Sequence, residues 1–303
     1  MRTAVVVAAL VSAVALGSAP RWQKGEALPL PRTEVAAARS GNELVVVGGY
    51  VPWGDTSAQA DAYSPGQRRW RRLPDLPQAV NHAMAATWRG KAVVAGGYVG
   101  RGQPSDRAFV LDGGDWRELP RMPQPRAAGG AAVIRDTLYV VAGVGPNGLA
   151  RTSFALDLRR NRWRTIPSPT PREHLAVTAT GGRVYALAGR TAGLDTNRRT
   201  FESWAPGARR WTTLPRVPTS RGGTGATAVG RTIVSIGGEQ PGGTIATVYA
   251  YDTKTKRWRR LPDLPTPRHG LGVVASGRSV YAVAGGPQPG LTTSGAVEFI
   301  TLP

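Results

Sequence analysis

Five arginines recur at one position of a repeated pattern, and that repetition makes them the first candidates for a binding site. Arg32, Arg126, Arg172, Arg221 and Arg268 each lie nine or ten residues after a tryptophan, and Pro31, Pro125, Pro171 and Pro267 precede four of them. A guanidinium pairs with carboxylate or phosphate through a planar fork. Gathered around one narrow opening, such groups would attract an acidic protein segment or an anionic glycan. The remaining repeat has Val80 at this position. His82 and His174 follow it by two residues and His269 by one. Glu34 and Glu173 stand in the same segments, and Glu239 follows a glycine of the pattern. One acid and one base held over a sugar ring, drawn from Glu34, Glu173, Glu239 and His174, would serve a mutarotation.

These residues need a scaffold that brings distant segments to one place. Trp22, Trp70, Trp116, Trp163, Trp211 and Trp258 are separated by 48, 46, 47, 48 and 47 residues. Seventeen residues after each arginine position stands Gly49, Gly97, Gly143, Gly189, Gly238 or Gly285. A period near 50 residues marks a repeat architecture. Each unit carries four short strand patterns. The first is small and apolar, the second ends at the glycine, and the third holds Tyr63, Phe109, Leu156, Trp204 or Tyr251 seven residues before the next tryptophan. The fourth contains the tryptophan, and Pro-rich linkers follow, where the missing N–H costs no ladder bond. This predicts an all-β fold, a six-bladed β-propeller with blades at about 32–73, 80–119, 126–166, 172–214, 221–261 and 268–303. The last unit lacks a tryptophan of its own, so residues 21–28 are expected to supply its outer strand and close the ring.

In that geometry the arginine position lies where the linker enters the innermost strand. It shares a face with the loops at 50–57, 98–106, 144–152, 190–200, 239–246 and 287–294. The five arginines are therefore expected to form a partial ring around one channel mouth, joined by Arg101, Arg151, Arg190, Arg198 and Arg199 from the loops. The alternative is that each repeated arginine bonds carbonyls of its neighbouring linker. His82 and His174 belong to blades 2 and 4 and could meet across the axis. His269 is one residue out of step, so its side chain is expected to point the other way across the strand. Zinc takes three or four ligands, and Glu34 is the one other donor at the histidine position. No metal and no cofactor is expected.

The chain has 303 residues, 39 basic and 19 acidic, for a net charge of +20. Four lysines leave 39 − 4 = 35 arginines, and an Arg-rich, Ala-rich, Lys-poor chain is common in GC-rich bacteria. No cysteine is present, which excludes disulfides, thiolate metal sites and a cysteine nucleophile. Residues 1–17 have the pattern of a signal peptide: Arg2, an apolar stretch from 4 to 16, and small residues at Ala15 and Gly17. The expectation is a secreted, periplasmic or envelope-associated single domain at 18–303, a monomer with no transmembrane segment after cleavage. Basic clusters flank the tryptophans, as at Arg68, Arg69, Arg71 and Arg72. They could meet envelope polymers or simply keep outer strands from pairing. No nucleic-acid partner is expected.

The order and spacing of the Gly-Gly pairs (Gly48-Gly49, Gly96-Gly97, Gly237-Gly238, Gly285-Gly286), the later aromatic residue and the tryptophan resemble the kelch family over residues 20–303. Two units depart from the doublet, with Ala142-Gly143 and Ala188-Gly189, and the second lacks Pro-Arg, with Ala79-Val80. The resemblance implies a propeller that is most often a binding platform, and in kelch adaptors of ubiquitin ligases arginines on the corresponding face bind acidic peptides. Some kelch propellers are enzymes. The copper oxidases of this kind need a Tyr–Cys cofactor, which a chain without cysteine cannot form. The sialic-acid mutarotases supply the alternative, a carbohydrate-active enzyme. The leading expectation is non-catalytic binding of an acidic protein segment or anionic glycan at the mouth, through Arg32, Arg126, Arg172, Arg221, Arg268, Arg190, His82 and His174.

Overall fold

A computed structural model describes residues 20–100 and 102–303. The predicted signal peptide, and Arg101, lie outside the described residues. Six four-stranded antiparallel sheets make up the chain. Their innermost strands are Ala36–Ser40, Met84–Trp88, Gly130–Ile134, Ala176–Thr180, Gly225–Val229 and Gly272–Ser276. Each packs beside the next and the last beside the first, so the sheets are the blades of a closed six-bladed propeller. A single 3-10 turn, Leu194–Thr196, is the one helical element among the described residues. No helix there is long and apolar enough to cross a membrane.

Residue size follows distance from the axis. Inner strands are rich in alanine, glycine and valine, which suits the crowded centre. Between successive blades lie six apolar clusters, one per gap. The repeated tryptophans fill the wide outer part of these gaps. Each also donates its indole N–H to a carbonyl of the preceding blade's linker: Trp116 to Pro74, Trp163 to Pro120, Trp211 to Pro167 and Trp258 to Pro215, at 2.8–3.0 Å. Buried indole N–H groups need such a partner.

The ring closes as the missing seventh tryptophan implies. Trp22–Lys24 pairs antiparallel with Val297–Thr301, with Trp22 opposite Ile300. Trp22 donates to the Pro262 carbonyl at 2.8 Å across the gap to blade 5. The first and last segments thus share one sheet and no blade is left with three strands. Deleting residues 21–28 should expose the Val297–Thr301 edge and sharply lower the denaturation midpoint. Trp22→Ala alone should cost about 3 kcal/mol, the low end for an aromatic truncation because the ring is half-buried. Chemical denaturation of both variants checks this, and an unchanged midpoint for the deletion would refute closure by this strand.

Candidate functional site

The upper mouth of the channel is built by backbone before any side chain enters. The residue two past each arginine position is Glu34, His82, Ala128, His174, Gly223 or Gly270, and all six have φ between 51° and 61°. This left-handed turn aims each N–H at the previous blade. His82 donates to Glu34, Ala128 to His82, His174 to Ala128, Gly223 to His174 and Gly270 to Gly223, at 2.8–3.0 Å, and Val35 closes the circle onto Gly270 at 3.2 Å. A second circle lies outside it. The landmark glycines donate to the carbonyl of the next blade's arginine position, from Gly49 to Val80 at 2.8 Å round to Gly285 to Arg32 at 2.8 Å. At Gly143 the need for glycine is explicit: φ is 83°, and a Cβ would stand 2.4 Å from the Ala127 carbonyl oxygen.

Three of the six left-handed positions carry polar side chains, and the circle brings them together. His82 Nε2 lies 2.9 Å from His174 Nε2 and 3.2 Å from Glu34 Oε2. His269, expected to point away, joins them instead, with Nδ1 3.0 Å from Glu34 Oε1 and 3.7 Å from Glu239 Oε2. The reason is that His269 precedes the left-handed residue, and the sharp turn there breaks the simple alternation of a strand. Its Nε2 faces the Gln288 carbonyl at 3.0 Å. Both ring nitrogens of His269 thus face acceptors, which favours the protonated ring. Burial opposes that charge, but Glu34, Glu239 and the carbonyl raise its pKa. Arg190 ties Glu173, at 3.4 Å, to Glu239, at 2.6 Å. Burial pushes the Glu34 carboxyl up, and the three histidines more than reverse this, so it is held well below its usual range. Burial lowers His82 to about 4. Two tyrosines, Tyr50 and Tyr98, stand edge-on to the His82 ring.

The repeated arginines are elsewhere. Arg32, Arg126, Arg172, Arg221 and Arg268 are 0–1% exposed, inside the blades, so they cannot line the mouth for a ligand. Their guanidiniums are occupied. Arg172 donates to the Ala188 and Ala186 carbonyls and pairs with Glu202 at 2.6 Å. Arg268 donates to Ala282 and pairs with Glu298 at 2.6 Å, and Arg32 pairs with Asp61. Arg126 lies over the Phe154 ring at 4.7 Å, while Arg221 binds Gly237 and Thr247 and lies over Tyr249 at 5.4 Å. Burial lowers Arg126 and Arg221 to about 10, which leaves both charged at neutral pH. The arginines satisfy carbonyls and anchor the linker to its blade. Among the described residues, Arg190 is the one predicted arginine that reaches the mouth cluster.

Comparison with known proteins agrees with this geometry. The Kelch motif is matched three times, at residues 31–77, 125–170 and 220–265. These stretches are blades 1, 3 and 5 with the linkers around them. The chain carries kelch repeats. Kelch-like protein terF of Aspergillus terreus is 31% identical over 161 residues, 46% of this chain and 34% of the relative. The human Kelch domain-containing protein 8B is 29% identical over 148 residues, 45% of this chain and 42% of the relative. Kelch-like protein 41b of Danio rerio is 34% identical over 76 residues, 25% of this chain and 13% of the relative. The chain thus spans less than half the length of these curated relatives.

Within this kelch propeller, sequence reasoning missed the partners of the buried arginines. The signal was present two residues before the third-strand landmark, where Asp61, Phe154, Glu202, Tyr249 and Glu298 stand. In blade 2, where the arginine position is Val80, that place is Arg107, paired with Glu118 at 2.9 Å. The loops also present an unpredicted feature. Trp53 and Leu291, 68% and 56% exposed, are the exposed large hydrophobic residues among those described. They belong to upper-face loops of blades 1 and 6, and these loops touch: a Cβ at Gly54 would lie 3.9 Å from Leu291 Cδ1.

Breaking a buried pair by removing one partner strands a charge. Glu298→Ala and Glu202→Ala should each cost about 3–5 kcal/mol, read as a drop in urea midpoint. Arg172→Met with Glu202→Leu should recover much of the loss. Single variants with wild-type midpoints would show that these arginines do not anchor the blades.

Proposed function

We propose that this kelch propeller is a protein-interaction scaffold that takes an acidic segment bearing an apolar residue on its upper loop face. The observation that carries this reading is that Trp53 and Leu291, both exposed, stand on upper-face loops that approach one another at Gly54. An exposed tryptophan and leucine on neighbouring loops held by a rigid ring have the composition of an interaction hot spot. Arg151 and Arg198 are exposed on loops of the same face, and the net charge is +20. Together they favour an acidic partner and speed its approach. The partner's charge now rests on these loop arginines, since the five repeated ones are buried.

A sugar-transforming role finds its carboxylates gathered but engaged. Glu34 is held by His269, Glu239 by Arg190, and Glu173 lies against His174 and Arg190. With Glu173 and Glu239 sharing Arg190 and Glu34 bound to His269, binding is the better-supported reading. The export pattern at residues 1–17 would place this scaffold outside the cytoplasm.

The test is selection of binders from a random peptide display library, followed by affinity measurement with the synthetic peptides. Selected peptides should be enriched in Asp and Glu around an aromatic or aliphatic residue. Trp53→Ala should weaken them by about 30-fold, the size of a 2 kcal/mol hot spot. Arg151→Glu with Arg198→Glu should lower affinity and flatten its salt dependence, with melting unchanged. Peptides that bind Trp53→Ala and wild type equally would overturn the loop-face assignment.

A further inference from the structure

The histidine pair at the channel mouth poses a problem of hydrogens. Asn81 Nδ2 donates to Thr56 Oγ1 at 2.8 Å, which turns Asn81 Oδ1 toward His82 Nδ1 at 2.6 Å. An amide oxygen only accepts, so His82 carries its hydrogen on Nδ1. His174 Nδ1 lies 3.3 Å from Glu173 Oε1, close but without the alignment of a hydrogen bond. The two Nε2 atoms face one another across 2.9 Å, with Glu34 Oε2 3.2 Å from one of them. Three atoms able to ligate a metal thus converge at one place, where a cation can bridge them in place of a hydrogen.

The spacing suits a metal ion. Two ligand atoms each about 2.1 Å from a metal lie about 3.0 Å apart at a right angle and about 3.4 Å apart at a tetrahedral one. The observed 2.9 and 3.2 Å fall on these edges, and all three donor atoms lie within 4.8 Å of one another. Asn81 supplies what a metal-bound histidine needs behind it, an acceptor that fixes the His82 ring. His269 holds the other oxygen of Glu34 and leaves Oε2 to face the cluster. At the other three places of the circle, Ala128, Gly223 and Gly270 present little or no side chain to a cavity of about 90 Å³. That space would admit water as a further ligand.

We propose that Glu34, His82 and His174 form a binding site for a divalent first-row transition-metal ion, open on one side of the channel mouth. Two imidazoles and one carboxylate suit zinc or iron(II) rather than calcium or magnesium, which take oxygen ligands. The site is independent of the Trp53 surface, so failure of either leaves the other standing.

The full chain, stripped with chelator and dialysed against Zn(II), should retain one equivalent by elemental analysis. Co(II) in place of zinc should produce visible d–d absorption. His82→Asn and His174→Asn should each weaken zinc binding at least 100-fold and abolish the cobalt bands, asparagine being tolerated at positive φ. Asn81→Ala should weaken binding about 10–100-fold by releasing the His82 ring. Zinc should raise the melting temperature of the wild type and not of His82→Asn. A wild-type protein with neither cobalt bands nor a zinc-dependent rise in melting would overturn the proposal and leave a shared proton between the rings. Equal zinc uptake by the His82→Asn/His174→Asn double variant would also overturn it, by placing the metal elsewhere.

Discussion

The circle of backbone hydrogen bonds at the channel mouth is the constraint on which the rest of this propeller depends. Each blade passes one N–H to the blade before it, five of the six from a residue in the left-handed region and the sixth from Val35, which follows one. An ordinary residue resists that conformation, so glycine is the natural choice there. The retention of Glu34, His82 and His174 at three of the six places therefore sets those positions apart. The same backbone turn that joins the blades aims their side chains inward. Cohesion of the ring and assembly of the polar cluster have one geometric cause.

Around that circle the molecule is layered by distance from the axis. Innermost are peptide groups and small side chains. Next come the buried arginines, which bind second-strand carbonyls and third-strand acids or aromatic rings within their own blade. Farthest out, the indoles span the gaps. Hydrogen bonds between blades sit at both radial extremes, and apolar packing fills the span between them. Such an arrangement leaves little freedom for one blade to move without its neighbours. The loops above the mouth are outside these layers, and there composition is free to serve recognition.

The fold was legible in the sequence because its landmarks have local causes. A glycine is required wherever a Cβ would strike a carbonyl, and a tryptophan wherever a wide gap must be filled. Period and phase together were enough to assign Trp22 to the last blade. The site was less legible because burial is not written in residue type. Arg32 and Arg198 are both arginines near the same face, and only the third-strand residue, Asp61 for Arg32, tells that one is enclosed. That second landmark lies about 30 residues downstream and looks like an ordinary strand position. His269 was misjudged for another reason: alternation of side chains presumes regular strand, and the turn at Gly270 interrupts it. The meeting of His82 with His174 joins blades 2 and 4, and the shared repeat register of the two residues was enough to anticipate it.

The pairing of Trp22–Lys24 with Val297–Thr301 also has a meaning in time. During synthesis, the strand Trp22–Lys24 emerges long before Val297–Thr301 and has no partner until that strand exists. At about 5–20 residues per second, that interval is on the order of half a minute. Throughout it five blades can form while the sixth stays incomplete, and both circles at the mouth remain open arcs. The polar cluster spans blades 1, 2, 4, 5 and 6, so it is assembled last, at the moment the two ends of the chain meet. Any group bound there would report on a finished ring.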